Sequence, residues 1–254
     1  MLKIERKEKI KTYLMSNSFA NIKDLAVSMD VSTATIRRTL RELEEEGIVD
    51  LTHGGVVLKE SGHLYEQPYQ VKRETNSEEK RRIAAEACTF IKRNESIYLD
   101  SSSTVFEMTR LLTTLKSINI ATNDIAIANA LYACDELDVS VIGGVLRKHY
   151  FTLTGFFSEL IMKNVFFDTV FMGFDAISFK GGLTITNSEE VRIKQMAIEA
   201  SNKVIALCDH TKFEKEAFLT VCSLKDIDVL ITGKELDPKT HGRLIEEGVE
   251  VLLV

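Results

Sequence analysis

Proline is nearly missing from this 254-residue chain, with two in all, and no low-complexity run occurs. With 44% hydrophobic and 28% charged residues, the composition excludes an extended disordered polypeptide. Cysteine is sparse as well. Cys88, Cys134, Cys208 and Cys222 stand far apart, with no CxxC spacing and no Cys/His cluster. That pattern excludes a zinc module and a disulfide framework, and leaves the four thiols structural roles. No window offers the roughly 18 to 20 consecutive apolar residues that crossing a bilayer requires. The opening residues, MLKIERKEKIKTYL, are charged throughout where a signal peptide would be apolar. The expected location is the cytoplasm, with no membrane partner. The length suits one or two domains with a real core, and no internal repeat is present.

An excess of positive charge is also absent. The net charge is −6 and the pI near 5.5, an unpromising total for a nucleic-acid partner. Its distribution says more than the sum. In residues 1–58, Lys3, Arg6, Lys7, Lys9, Lys11, Lys23, Arg37, Arg38 and Arg41 balance Glu5, Glu8, Asp24, Asp30, Glu42, Glu44, Glu45, Glu46 and Asp50, so the whole deficit falls in residues 59–254. Arg37, Arg38 and Arg41 precede the acidic run 42–46 along one segment, the reverse of what a helix dipole favours. Such arginines serve a partner better than they serve their helix.

What is present in the first sixty residues is a helical rhythm. Ile4 to Asn17 suits one helix, Phe19 to Ile22 an extended link, and Ile22 to Met29 a second helix. Ser32 is an N-cap for a third, whose Ile36, Leu40 and Leu43 form one apolar stripe, and Gly47 ends it. Arg37 and Arg38 lie about 100° apart around that helix, so both cannot share the buried face. Residues 48–52 and 56–58 can pair as a hairpin around His53-Gly54-Gly55. Three helices and a hairpin are the order of a winged helix-turn-helix, whose third helix enters the major groove while the wing follows the backbone or minor groove. The expected DNA-contacting residues are Lys23, Ser32, Thr33, Thr35, Arg37, Arg38, Arg41, Thr52, His53, Gly54 and Gly55.

At these residues the chain resembles the DeoR family of bacterial transcription regulators. The resemblance is carried by Glu5-Arg6-Lys7-Glu8-Lys9-Ile10, by the recognition-helix run Val31-Ser32-Thr33-Ala34-Thr35-Ile36-Arg37-Arg38-Thr39-Leu40, and by the wing Leu51-Thr52-His53-Gly54-Gly55-Val56. Two positions depart from the family pattern: Thr39 replaces the usual Asp, and Leu51 the usual basic wing residue.

Residues 59–76 carry Gly62 and Pro68 without a clear period and read as a linker, dividing an N-terminal domain, 1–58, from a larger one, 77–254. The larger part alternates short apolar runs with amphipathic segments, among them strands at 96–99, 117–122, 139–142, 165–172, 204–207, 229–231 and 249–253, and helices at 77–92, 105–112 and 124–132. That rhythm predicts an α/β domain with a mainly parallel sheet. Ligands bind at the carboxyl ends of such strands, where Asp100 to Thr104, Thr122-Asn123, Gly143-Gly144, Gly173 to Asp175 and Asp209 to Lys212 cluster. Hydroxyls and N–H groups at Ser101 to Thr104 suit a phosphate, although the same residues serve equally to cap a helix.

This half also resembles the DeoR family, through Arg73, Glu79-Lys80, Asp100 to Thr104, Thr122-Asn123, Gly143-Gly144, Gly155, Asp168, Phe171-Met172-Gly173, Gly181 to Thr184, Glu189, Lys194 and Asp209 to Phe213. The resemblance implies a ribose-5-phosphate isomerase-like sensor fold and a phosphorylated sugar or sugar-alcohol effector that releases a repressor from double-stranded operator DNA. The expected effector residues are Asp100, Ser101, Ser102, Ser103, Thr104, Thr122, Asn123, Gly143, Gly144, Arg147, Asp175, Lys194 and Lys212, with no metal and no cofactor. An enzyme fused to a DNA-binding domain is the alternative, yet where isomerases carry D-G-A-D-E this chain has Met172-Gly173-Phe174-Asp175-Ala176, short of the acids that proton transfer needs. A third reading makes the C-terminal half an oligomerisation module. Because one recognition helix reads only a few base pairs, a homo-oligomer, dimer or tetramer, is expected.

Overall fold

The computed structural model describes residues 3–17, 19–52, 55–58, 66–148 and 150–254, which divide into two compact units, Met1–Thr75 and Asn76–Val254. The first unit runs α1 (Lys3–Asn17), β1 (Phe19–Asn21), α2 (Ile22–Ser28), α3 (Thr33–Glu45), β2 (Val49–Leu51), β3 (Gly55–Leu58) and α4 (Tyr69–Glu74). Ser32 caps α3, its Oγ accepting from Thr35 N, and Gly47 at φ +70° turns the chain out of it. Ile36, Leu40 and Leu43 are fully buried with Ile10, Leu14, Leu25 and Val56 in one apolar cluster. The expected extended link at 19–22 is in fact a strand: β1 pairs with β3, and β3 with β2, giving a three-stranded antiparallel sheet. A three-residue strand has too few side chains to show its period. The end of the expected linker is helical too, since α4 buries Tyr69 and Val71; residues 59–65 lie outside the described residues.

The second unit begins with α5 (Ser77–Cys88), β4 (Ser96–Leu99), α6 (Ser103–Phe106), α7 (Thr109–Leu112), β5 (Ile118–Thr122), α8 (Ile125–Leu131) and β6 (Leu137–Val141). It continues through β7 (Val145–Leu146), β8 (Leu153–Thr154), α9 (Phe156–Met162), β9 (Thr169–Met172), β10 (Ala176–Ser178), β11 (Gly182–Ile185) and α10 (Ser188–Glu199). It ends with β12 (Val204–Leu207), β13 (Leu219–Cys222), β14 (Val229–Thr232), α11 (Pro238–Glu246) and β15 (Glu250–Leu253). Seven strands form one parallel sheet in the order β15-β14-β12-β9-β4-β5-β6. Alternate side chains feed its two faces: Ile97, Leu99, Phe171, Ile205 and Ile231 pack on one, and Tyr98, Val170, Met172, Ala206 and Leu230 on the other.

Three local readings change. The single helix expected at 105–112 is two short ones, because Thr109 Oγ1 donates to Phe106 O and competes for the backbone at the break. Asp124, expected as the first residue of the helix at 124–132, instead caps α8, its Oδ1 accepting from Ala126 N and Ile127 N. An antiparallel sheet, β10-β11-β13, was not foreseen.

The strand order fixes where a ligand fits. From β4 the chain proceeds outward through β5 to β6; from β9 it proceeds the other way through β12 and β14 to β15. The direction of winding reverses between β4 and β9, and open parallel sheets leave a crevice outside the carboxyl ends at such a point.

Candidate nucleic-acid interface and effector site

In the first unit, Arg37, Arg38 and Arg41 are exposed on α3 and make no hydrogen bond or ion pair among the described residues, while Ile36, Thr39 and Leu40 point inward. The acidic end of α3 is occupied from α1: Lys3 pairs with Glu42 at 2.8 Å, and Lys7 with Glu42 at 3.2 Å and Glu46 at 2.6 Å. Glu44 Oε1 accepts from Leu51 N and so ties the wing to the helix. A segment neutral on paper thereby carries its unpaired positive charge along the arginine face. Ser32 and Thr33 are exposed at the start of the same helix, Thr35 half-buried there, and Lys23 exposed on α2.

The wing residues behave differently from expectation. Thr52 Oγ1 accepts from Gly55 N, and Thr52 N donates to Gly55 O, so its hydroxyl closes the turn instead of projecting to a partner. Gly55 is buried against β1, where an added Cβ would lie 2.2 Å from Ala20 O. Packing, rather than approach to DNA, demands that glycine. His53 and Gly54 lie outside the described residues. Sequence reasoning also missed Arg6, which is buried on α1 with Nε donating to Thr39 Oγ1 at 2.8 Å. The Thr39 departure had pointed at that position, though not at its partner.

In the second unit the loop after β4 lies at the reversal point. Asp100 Oδ2 accepts from Gly173 N and from Lys194 Nζ, and Lys194 also donates to Gly173 O. Burial holds the Asp100 carboxyl above its ordinary range against the pull of Lys194. For Lys194, the neighbouring Asp100, Glu190 and Asp175 outweigh burial and hold the ammonium's pKa up. Lys194 is therefore committed to Asp100 Oδ2, and both residues are buried, with Asp100 Oδ1 making no hydrogen bond among the described residues. Arg147 is likewise engaged, pairing with Glu190 at 2.6 Å and lying 3.8 Å from the Tyr150 ring centre.

Other expected contacts also turn inward. Thr122 Oγ1 donates to Leu99 O; Asn123 accepts from Tyr98 OH and donates to Leu153 O; both are fully buried. These bonds tie the carboxyl ends of β4 and β5 to each other and to β8. Gly143 O accepts from Ser158 Oγ, and a Cβ on Gly144 would lie 2.1 Å from that hydroxyl, so this pair is a packing turn. Ser101 Oγ bridges Asp124 Oδ2 and Thr152 Oγ1, both at 2.7 Å, partners the sequence gave no sign of.

What remains accessible is a smaller set. Ser102 and Ser103 are half-buried, Ser102 Oγ accepting from Thr104 N, with Thr104 buried behind them. Asp175 is half-buried, its Oδ2 accepting from Thr186 N. Lys212 is half-buried and makes no side-chain hydrogen bond or ion pair among the described residues. Its loop is pinned from α5: Glu79 accepts from His210 N and Gly233 N and faces His210 Nδ1 at 2.7 Å. Asp209, held by Asn76 and Thr211, stays below its ordinary pKa, since Lys212 and Lys80 overcome the effect of burial. Glu79, Asp209 and His210 come close enough to offer metal ligands, but N–H donors already occupy these carboxylates and Lys80 stands 3.9 Å from Asp209. A hollow of about 360 Å³ at β6 and α8, lined by Leu131, Tyr132, Val139 and Val141, includes none of the expected effector residues.

Residues 6–62 match the DeoR-like helix-turn-helix domain, and residues 75–234 the DeoR C-terminal sensor domain. The chain belongs to the DeoR family. Its relatives include the HTH-type transcriptional regulator GolR of Listeria innocua, 31% identical over 99% of this chain and 98% of the relative. The HTH-type transcriptional regulator GlpR of Haloferax volcanii is 33% identical over the same shares. A putative aga operon transcriptional repressor of Escherichia coli O157:H7 is 30% identical over 98% of this chain and 93% of the relative. This DeoR-family member is a DNA-binding transcriptional regulator and not an enzyme. Among solved structures, a D-ribose-5-phosphate isomerase complexed with phospho-erythronic acid aligns with 54% of each chain at 16% identity, TM-score 0.41. Among the described residues, no helix is long and apolar enough to cross a membrane.

Proposed function

We propose that this regulator is a cytoplasmic repressor of a sugar or sugar-alcohol operon, which binds its operator as a homo-oligomer and leaves it when a phosphorylated sugar occupies the crevice between β4, β9 and β12. The observation that carries the effector reading is Lys212. Of the three cations expected there, Lys194 and Arg147 are paired within the chain, and Lys212 has neither hydrogen bond nor ion pair among the described residues. A phosphate monoester brings about two negative charges at neutral pH and needs a charged donor in a domain that is itself acidic. Ser102 and Ser103, in the loop after β4, supply hydroxyls, and Asp175 an acceptor for sugar hydroxyls. Asp100, Thr122, Asn123 and Lys194 act one step back, fixing the loops that carry these groups. The role named for the Escherichia coli relative, a putative aga operon repressor, supports the same class of regulated genes.

On the DNA side, the free guanidinium groups of Arg37, Arg38 and Arg41 support docking of α3 in the major groove, with Lys23, Ser32, Thr33 and Thr35 at its phosphate flanks. Operator and inducer are then linked through one conformational equilibrium, so removing an inducer contact blocks release without weakening the repressor–DNA complex. The test is Lys212→Ala in a gel shift with a panel of phosphorylated sugars. Wild type is expected to release operator with one of them; the variant is expected to bind operator equally and to hold it at the wild-type releasing concentration. A variant that releases like wild type removes Lys212 from the site, and a wild type insensitive to every phosphorylated sugar removes the effector class.

A further inference from the structure

Helix α9 is built inside out. Along Phe156–Met162 it buries Ser158 and Met162, and turns Phe156, Phe157, Leu160 and Ile161 to solvent. Spacing of i, i+1, i+4, i+5 puts those four on one face of the helix. Phe156 is 71% exposed and Phe157 63%, their rings packed edge-on at 5.6 Å with nothing over them among the described residues. The row continues onto the neighbouring strand. Gly155, which leads into α9, sits against Val145 of β7, and Val145 (66% exposed) and Leu146 (49%) also face outward.

We infer that this face is where a second copy of the chain docks. With on the order of 200 Å² for a whole aromatic side chain and somewhat less for an aliphatic one, the six residues expose about 600 Å². That is the upper end of what a monomer's largest apolar patch reaches, about 300–600 Å². A stable interface takes about 800 Å² from each partner, roughly two thirds of it apolar in homodimers, so this patch alone supplies the apolar share. None of the six is charged, and a charge-free apolar face is complementary to itself, as a two-fold interface requires. Ser158 shows why the helix is held this way round: its hydroxyl donates to Gly143 O, and Gly144 leaves the space for it, which locks the polar side inward and the aromatic side out.

The assignment rests on the homo-oligomer reading, and one experiment separates the two. Sedimentation of the full chain at micromolar concentration is expected to give at least a dimer. Phe157→Ser/Leu160→Ser, and independently Val145→Thr/Leu146→Gln on the adjoining strand, are expected to weaken self-association at least 100-fold. Because these side chains are exposed within one chain, each variant is expected to keep the wild-type circular dichroism spectrum. Phe166→Ser, at a residue 83% exposed and outside this row, is expected to leave the oligomer unchanged. A monomeric wild type overturns the oligomer and the face together. An oligomer that survives both double substitutions, or that dissociates with Phe166→Ser instead, overturns the face alone.

Discussion

Replacing Lys194 with Met tests whether the ion pair at the winding reversal is structural. The side chains of Lys194 and Asp100 are 3% and 1% exposed, so solvent screens neither charge. Removing one partner of such a pair strands the other charge, at about 3–5 kcal/mol. For a domain of this size each kcal/mol lowers the midpoint by about 2–4 °C, so a fall of roughly 10 °C is expected in the sensor-domain transition. Acid should relieve the loss. Asp100 is already raised by burial, and without Lys194 the folded state takes up a proton at a pH where the unfolded chain has none. Folded molecules then bind more protons than unfolded ones, and stability rises as pH falls from 7 toward the ordinary carboxylate value of 3.8. Asp100→Asn/Lys194→Met removes both charges and keeps the acceptor for Gly173 N, so it should recover most of the stability. The assay is calorimetry of the full chain at pH 7.5 and pH 5. A Lys194→Met midpoint within about 2 °C of wild type, or a deficit that does not shrink in acid, refutes the reasoning.

Three further outcomes follow from the DNA-binding unit. Arg37→Ala or Arg38→Ala should weaken operator binding by about 1–3 kcal/mol where the side chain reads a guanine, and should instead flatten the salt dependence where it meets a phosphate; gel shifts at several salt concentrations separate these. Thr39→Asp should stabilise the unit by about 1 kcal/mol, since Arg6 would exchange a neutral acceptor for a charged one, and a lowered melting midpoint would count against it. Gly55→Ala should destabilise the unit by about 1–3 kcal/mol because the new methyl group meets the backbone oxygen of Ala20, as urea titration would show.

The parts of the fold legible in the sequence were those with their own period or their own punctuation. Helix α3 announced itself by Ser32, its apolar stripe and Gly47, and the parallel strands by buried runs such as Val204–Leu207. Strand β1 and the sheet β10-β11-β13 did not, because β1 and β10 have three residues each, too few to show a period, and β13 meets β11 only across an intervening helix and strand. In the proposed effector crevice the sequence named loops that follow β4, β9 and β12 but could not sort the residues within them. Lys194, Arg147 and Lys212 look alike as letters, and only the positions of Asp100 and Glu190 decide which cation is engaged. Thr122 and Asn123 read as ligand groups because hydroxyls and amides at strand ends serve a ligand and a sheet joint equally well.

The winding reversal also governs how the sensor unit is made. Strand β4 carries Ile97, Tyr98 and Leu99, all fully buried, and one of its two neighbours, β9, pairs with it through Thr169, Val170 and Phe171. At about 5–20 residues per second, a ribosome takes roughly 4 to 15 seconds to add the intervening stretch. Throughout that interval the emerging chain presents one edge of a strand that is buried in the finished sheet without its native neighbour, while the first unit, whose pairings all lie within residues already made, is free to fold. The centre of the sensor sheet is therefore also the segment of the nascent chain most exposed to mispairing, and protease sensitivity of ribosome-arrested chains should fall sharply once β9 has emerged.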